Sequence, residues 1–232
     1  MDALQSTSQG YGAWGAPVLK FTLTYDGSLP PSANKPKNLE KWEIRKAIDP
    51  QLRDLWASDP ALRAFEIEGR YFPKRGGASL RQEHHSNHPS APEWMPTDSA
   101  STIDLCGPIE KHGGWFRPLV RESCAIHCGL KITFLRKERP GKVYQGGDID
   151  GRIKTLLDAL TMPQHVEQVV EKNSQDEAIY CLLEEDSLVS GLQVESERLL
   201  TGSDHTADFV RLIIEVDVRV RQAMIYNQSF LG

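Results

Sequence analysis

Two long segments in which apolar and polar residues alternate constrain the fold more than any other feature of this chain. One runs from Ile126 to Phe134 and the other from Val210 to Val220. Alternation with a period of two predicts β-strands, because successive side chains of a strand point to opposite faces. Strand patterns also occur at residues 19–25, 178–183 and 189–197, and apolar residues at helical spacing occur in 38–56 and 153–160. This order predicts an α+β fold, a mixed β-sheet with helices packed on it.

Prolines and glycines divide the rest of the chain. Asp49-Pro50 and Asp59-Pro60 each combine a helix N-cap with a proline suited to a first turn, so we expect a helix to begin at each. Residues 1–16 are rich in Gly, Ser and Gln and are expected to form a flexible tail. Many prolines and glycines predict a loop-rich insertion at about residues 69–118, with room for one or two short strands. We expect one domain to span residues 17–232, with that insertion inside it.

Composition argues against several classes of protein. A net charge of −5 disfavours a chain whose whole surface binds nucleic acid, although it permits a local basic face. The four cysteines form no CxxC pair and are expected to be reduced, mostly buried thiols. With no signal peptide and no membrane-spanning apolar stretch, the protein is expected to be cytoplasmic and not membrane-bound. The sequence lacks a glycine-rich phosphate loop followed by Lys and Ser or Thr, so no nucleotide cofactor is expected.

Acidic residues around position 150 carry the strongest indication of chemistry. Asp148 and Asp150 are two residues apart at the start of a predicted helix, and Lys154 lies one turn after Asp150. Asp186 follows a predicted strand and can deliver a third carboxylate. Carboxylates gathered at one point repel each other unless a cation is present, and their hard oxygen atoms suit Mg²⁺ or Mn²⁺. Such an ion can activate water for phosphodiester hydrolysis, and Lys154 can offset charge on the phosphate.

These acids and Lys154 also fit a purely structural role. Asp148 and Asp150 can stabilise the start of a helix, where amide groups lack partners and the helix dipole favours negative charge. Lys154 is then simply the i+4 partner of Asp150.

The combined pattern resembles the RusA family of Holliday junction resolvases. The similarity comprises Pro30-Pro31-Ser32-Ala33-Asn34 after a strand, Asp-x-Asp, Lys four residues later, Asp-Ala-Leu, and an acidic triplet before a strand. It covers roughly residues 18–35 and 126–220. The resemblance implies metal-binding catalytic acids at Asp148, Asp150 and Asp186, a catalytic lysine at Lys154, and a supporting metal ligand at Glu185. It also implies a RusA-like fold, Mg²⁺ or Mn²⁺, a homodimer, and branched DNA as the substrate.

Basic residues near the acidic segment are predicted to contact the nucleic-acid backbone. They are Lys131, Arg136, Lys137, Arg139, Lys142 and Arg152. Lysine and arginine next to a metal site can neutralise phosphates, although the same residues also fit a solvated strand end.

Two other functions remain open at the level of sequence. One is a non-catalytic module that binds nucleic acid or a protein on the same fold, favoured by the acidic net charge and by Gly151, where the family usually has Asn. The other is a nuclease directed at invading or plasmid DNA.

Overall fold

A computed structural model describes residues 17–31, 37–70, 72–73, 102–137, 149–200 and 209–231. The helices are α1 (Asn38–Ser58), α2 (Pro60–Arg70) and α3 (Ile149–Leu160). The strands are β1 (Leu19–Ser28), β2 (Phe72–Pro73), β3 (Thr102–Ile103), β4 (Ile109–Lys111), β5 (Gly114–Val120), β6 (Ile126–Arg136), β7 (Ile179–Leu183), β8 (Val189–Arg198) and β9 (Phe209–Val220). Short 3₁₀ turns include Val166–Gln168 and Asp186–Leu188. The α+β class predicted from the sequence is confirmed.

The main sheet has four strands in the order β1-β9-β6-β8. β9 is antiparallel to both β1 and β6, whereas β8 is parallel to β6. The alternation in the sequence produces one buried face, on which residues such as Ile132, Phe134 and Ile214 are fully buried. Polar residues such as Lys131 and Glu215 stand on the opposite, outer face. The five strands predicted from the sequence are all present. Four of them form this sheet, and the strand predicted at residues 178–183 is β7, which belongs to a second sheet.

A second sheet, in the order β4-β5-β7, includes two strands that begin within the predicted loop-rich insertion, for which one or two short strands were expected. β5 pairs in parallel with β7 and buries Phe116. Its glycine and proline had favoured a loop. However, a Cβ atom on Gly114 would lie only 3.0 Å from the Phe116 ring, so glycine permits close packing there. Pro118 lies beyond the part of β5 that pairs with β4, so β4 requires no amide from it.

Helix α1 passes through Pro50 without a break, so the prediction of a new helix at Asp49-Pro50 was wrong. The Asp49 carboxylate does not cap a helix; it accepts hydrogen bonds from Arg53 Nε (2.9 Å) and from the backbone amide of Tyr180 (2.7 Å). The equivalent prediction at Asp59-Pro60 is confirmed. There, Asp59 Oδ1 accepts a hydrogen bond from the amide of Leu62 at the start of α2.

The four cysteines are buried and free, as predicted, and lie among the described residues. Burial raises the pKa of the Cys128 and Cys181 thiols to about 12, so both are protonated at neutral pH. None of the helices in the described residues is both long and apolar enough to cross a membrane.

Candidate functional site

The two ends of the main sheet provide a reference for locating the candidate residues. β1, β6 and β8 run in the same direction, so the sheet has a carboxyl end, where these strands finish, and an amino end, where they begin. Leu29 follows the last residue of β1 and lies at the carboxyl end. Val120, which precedes the turn into β6, lies near the amino end.

Helix α3 begins at the carboxyl end of the sheet. Arg152, in its first turn, is buried and donates a hydrogen bond to the carbonyl oxygen of Leu29. This contact ties α3 to the end of β1. It also corrects the sequence-based assignment of Arg152 to a nucleic-acid surface, because a guanidinium that is 1% exposed cannot reach a phosphate. In the sequence, an arginine beside an acidic motif cannot be told apart from an exposed one. Its burial follows only from the contact with Leu29, which lies far away in the chain.

Asp150 and Lys154 are both exposed at this end of α3. Their four-residue spacing places them on the same flank of the helix. Asp150 Oδ1 accepts a hydrogen bond from the amide of Gly151 at 2.6 Å, which is compatible with a helix-start role. Its other oxygen remains a possible ligand donor. Asp148, the remaining acid of the predicted pair, lies outside the described residues.

The far end of α3 is held by α1. Buried Arg45 donates to the carbonyl oxygens of Asp158 (3.1 Å) and Thr161 (2.9 Å). Lys41 Nζ lies 2.6 Å from the Asp158 carboxylate. Thr161 then forms a parallel bridge with Leu183, at the end of β7. The carboxyl terminus of α3 therefore lies beside the last residue of β7.

Asp186 and Glu185 are exposed at the amino end of the sheet. The residue before them, Glu184, donates its amide to the carbonyl oxygen of Val120 and accepts a hydrogen bond from the Glu122 amide through its side chain. Val189, three residues after Asp186, pairs with Cys128 near the start of β6. The chain on both sides of the acidic triplet Glu184-Glu185-Asp186 is thus held at the amino end of the sheet.

Asp150 and Asp186 consequently lie at opposite ends of α3. The helix has 12 residues, so at 1.5 Å per residue Asp150 is roughly 15 Å from the level of Thr161. Asp186 lies at that level or beyond it. Ligands of one divalent ion lie about 2.0–2.6 Å from it, so their oxygens must be within about 5 Å of one another. One chain therefore does not bring Asp150 and Asp186 to a common ion, and the part of the chain that the structure describes holds no group of three His, Cys, Asp or Glu residues suited to a metal.

The basic residues that were predicted to contact the nucleic-acid backbone do not share one surface of the main sheet. Lys131 stands on the outer face, where its ammonium lies 3.4 Å from Glu215 and 3.9 Å from Glu195. Arg136 ends β6 at the carboxyl end, and Lys137, which follows it, is exposed. These two remain candidates for phosphate contact, whereas Lys131 is engaged with carboxylates away from α3. Arg139 and Lys142 lie outside the described residues.

A cavity of about 390 Å³ on the outer face was not predicted. Its floor includes the paired glycines Gly129 and Gly191, and its walls include Lys20, Glu215 and Asp217. A Cβ atom on Gly191 would meet nothing within 4 Å, so crowding does not require glycine there. Glycines inside a predicted strand were the one sequence signal of this opening.

No protein-family model, no curated protein and no solved structure matches this chain.

Proposed function

We propose that this chain is a RusA-like, Mg²⁺-dependent endonuclease that hydrolyses phosphodiesters in branched DNA, as in Holliday junction resolution, and that its metal site is shared between two copies. Asp148 and Asp150 of one protomer and Asp186 of a second would hold the ion, with Glu185 as a supporting ligand. The observation that carries the proposal is the placement of exposed carboxylates at both ends of α3, with exposed Lys154 beside Asp150.

The exposed flank of α3 supports this chemistry. A bound divalent ion would supply an activated water and stabilise the leaving oxygen. Asp150 presents a carboxylate oxygen to solvent, and its contact with the Gly151 amide holds the side chain at the helix start. Lys154 supplies a positive charge one turn further along, where it can contact a phosphate oxygen.

The separation of Asp150 and Asp186 explains the need for two copies. Symmetric dimers repeat each contact twice, so a dimer that brings one Asp150 to the other copy's Asp186 forms two equivalent sites. Two sites related by a two-fold axis match the symmetry of a four-way junction.

A complementation experiment tests this arrangement. Asp150→Asn and Asp186→Asn should each abolish Mg²⁺-dependent nicking of a labelled four-way junction. Co-expression of the two variants should restore about a quarter of wild-type nicking, because half of the dimers are mixed and each mixed dimer has one intact site.

The matched control is co-expression of Asp150→Asn with Lys154→Ala. Both residues belong to the same half of a shared site, so both sites of the mixed dimer are damaged and nicking stays absent. Failure of the Asp150→Asn and Asp186→Asn mixture to regain nicking would contradict a shared site. Absence of cleavage by the wild-type protein on every branched substrate would contradict the nuclease itself.

A non-catalytic binding module is the second candidate, because Arg152 is buried and Lys131 is engaged with carboxylates, which reduces the basic surface. Calorimetric titration with Mn²⁺ separates the two. Heat of binding that disappears in Asp150→Asn supports the nuclease, whereas no carboxylate-dependent Mn²⁺ uptake supports a module that binds nucleic acid or a protein without catalysis.

A further inference from the structure

Two arginines stand side by side at the carboxyl end of the main sheet. β6 and β8 are parallel, and their register pairs Phe134 with Ser196 and Arg136 with Arg198. Alternate residues of a strand face the same side, so both arginines share the helix-facing side of the sheet with the fully buried Phe134. Adjacent strands lie about 4.8 Å apart. Two cationic side chains therefore leave neighbouring strands on the same face and at the same level.

The backbone holds both arginines in these positions. The amide of Leu199 donates a 2.6 Å hydrogen bond to the carbonyl oxygen of Arg136, so the strand pairing continues past Arg198. Val194, earlier on the same side of β8, packs against the core, which fixes the side of β8 that faces the helices. The Arg198 side chain is exposed, whereas Arg136 is half-buried. One arginine is thus supported by the sheet, and the other is accessible from solvent.

No acid neutralises this pair within the described part of the chain. The residue of β9 in register with Arg136 is the apolar Val210. Glu197, next to Arg198 on β8, is offset by one residue and therefore stands on the outer face. Neither arginine forms an ion pair with another described residue. Like charges directly opposite each other destabilise a sheet, so the pair costs stability unless an anion lies between the two guanidinium groups.

Two buried polar atoms without a partner lie at the same place. The Nε atom of Arg136 and the hydroxyl oxygen of Ser196 are buried, and neither has a hydrogen-bond partner among the described residues. Ser196 lies two residues before Arg198, on the same face of β8. A buried polar group without a partner costs free energy, and native proteins nearly always provide one. An oxyanion between the two strands would accept hydrogen bonds from the Ser196 hydroxyl and from both guanidinium groups.

We infer that Arg136, Ser196 and Arg198 form a binding site for a backbone phosphate of nucleic acid. A guanidinium group binds phosphate through paired N–H donors in a planar fork, a geometry that lysine does not reproduce. The sequence does not reveal Ser196 and Arg198 as part of such a site, because only the parallel pairing of β6 with β8 brings them to Arg136.

The location of the site favours a nucleic acid over a free phosphate ion. The site lies at the carboxyl end of the main sheet, where α3 begins with exposed Asp150 and Lys154. Arg152 ties α3 to Leu29 at the end of β1, and β6 is two strands away from β1. At about 4.8 Å per strand this separation is roughly 10 Å, which a polyanion spans and a single phosphate does not. The assignment to DNA rests on the proposed function, whereas the phosphate site itself does not.

Fluorescence anisotropy of a labelled four-way junction, with EDTA present, measures binding separately from cleavage. Arg198→Ala should weaken binding by at least about 10-fold and reduce the slope of log affinity against log salt by about one, because one phosphate contact is lost. Arg198→Lys keeps the charge but not the fork, so it should restore the slope without the full affinity.

Arg63→Ala is the matched control, because it removes the same charge from an exposed position on α2. Phe65 of α2 packs against Phe230, which follows β9 at the amino end of the sheet. The control variant should therefore change junction affinity by less than about 2-fold, since the lost charge is distant and screened. Equal losses of affinity in Arg198→Ala and Arg63→Ala would overturn the inference, and so would a wild type that binds no junction.

Thermal unfolding tests the same site without DNA and shows whether each variant folds. Sodium phosphate should raise the Tm of the wild type more than sodium chloride does at equal ionic strength, and Arg198→Ala should lose this difference. Equal stabilisation of the wild type by the two salts would also overturn the inference. Binding that depends on Arg198, in a protein that cleaves nothing, would leave this inference standing and reject the proposed nuclease. Junction cleavage by a protein whose affinity is unchanged in Arg198→Ala would do the reverse.

Discussion

The two edges of the main sheet differ in how completely one chain covers them. At the β1 edge, Gln51 of α1 bonds both backbone groups of Thr24, accepting from its amide at 2.9 Å and donating to its carbonyl at 2.8 Å. Arg211 and Asp26 form a two-point ion pair on the neighbouring strands. At the β8 edge, Leu192 is 45% exposed and no described strand pairs with the outer side.

The two edges therefore differ in whether their backbone amides and carbonyls are available for pairing with another chain. An uncovered strand edge presents unpaired amides and carbonyls that can pair with another chain, so proteins usually block such edges. At β1, the Gln51 side chain of the same molecule occupies the backbone groups of Thr24, so these two groups are not available to another chain. At β8, no strand of the described residues pairs with the outer side.

The largest effect is expected from breaking the link between α1, which covers β1, and the carboxyl end of α3. Arg45→Ala should lower the free energy of unfolding by about 3–5 kcal/mol, because it leaves the carbonyl groups of Asp158 and Thr161 without their donor and creates a cavity. Urea denaturation measures the change. Lys46→Ala removes only an exposed ion pair with Glu171 and should change stability by less than about 0.5 kcal/mol. Equal effects of the two changes would show that α3 is held by other contacts.

A smaller effect is expected from uncovering the β1 edge. Gln51→Ala should cost about 1–2 kcal/mol, because Thr24 loses two hydrogen bonds at a strand edge. Gln193→Ala on β8 is the control, since among the described residues its exposed side chain bonds Glu195, which is half-exposed, and its loss should have little effect. Sedimentation velocity should also detect association beyond the dimer in Gln51→Ala at high concentration. If the variant is as stable as the wild type and forms no larger species, Gln51 does not protect this edge.

The smallest expected effect is a pH dependence of the free energy of unfolding, caused by His127 where β6 meets β8. His127 Nδ1 lies 2.6 Å from Ser190 Oγ, at the start of β8. Burial, followed by the charges of Arg219 and Arg221, lowers the pKa of His127 from its usual 6.5. His127 is therefore protonated more easily in the unfolded chain than in the folded one. The stability that the neutral His127 ring contributes is complete above pH 6.5 and is lost as the pH falls below that value.

Urea denaturation at about pH 7.5 and about pH 5.5 checks the sign of this effect. The wild type should lose more stability on acidification than His127→Gln, which has no titrating ring. A loss of the same size in both proteins would assign the effect to other groups.

The sequence could predict most of the main sheet, because the periodicity of each strand is local. Val210 to Val220 alternates over its whole length, and the structure buries one side of it as expected. β5 was missed because Gly114 and Pro118 indicate a loop unless the packing of Phe116 and the short reach of β4 are known. The prediction of a helix start at Asp49-Pro50 was wrong for a similar reason. The carboxylate of Asp49 bonds the amide of Tyr180 on the distant strand β7, and no local pattern reveals this contact.

The candidate site was less predictable than the fold. Spacing alone correctly placed Asp150 and Lys154 on one exposed flank of a helix. The location of Asp186 depends on the direction of β7 and on its bridge to Thr161, and these are long-range contacts. The sequence suggested that three carboxylates converge, but it could not indicate whether one chain or two would bring them together. Burial of Arg152 likewise depends on Leu29, more than a hundred residues away in the chain.

The antiparallel pairing of β1 with β9 also has a kinetic consequence. The two strands are separated by residues 29–208, a far longer connection than residues 137–188 between β6 and β8. Closing a longer connection costs more conformational entropy before the pairing returns any stability, which slows formation. We therefore expect β8 to pair with β6 earlier in refolding, and β1 to join β9 late. Pulse-labelled hydrogen exchange should show protection of the β1 amides after those of β6.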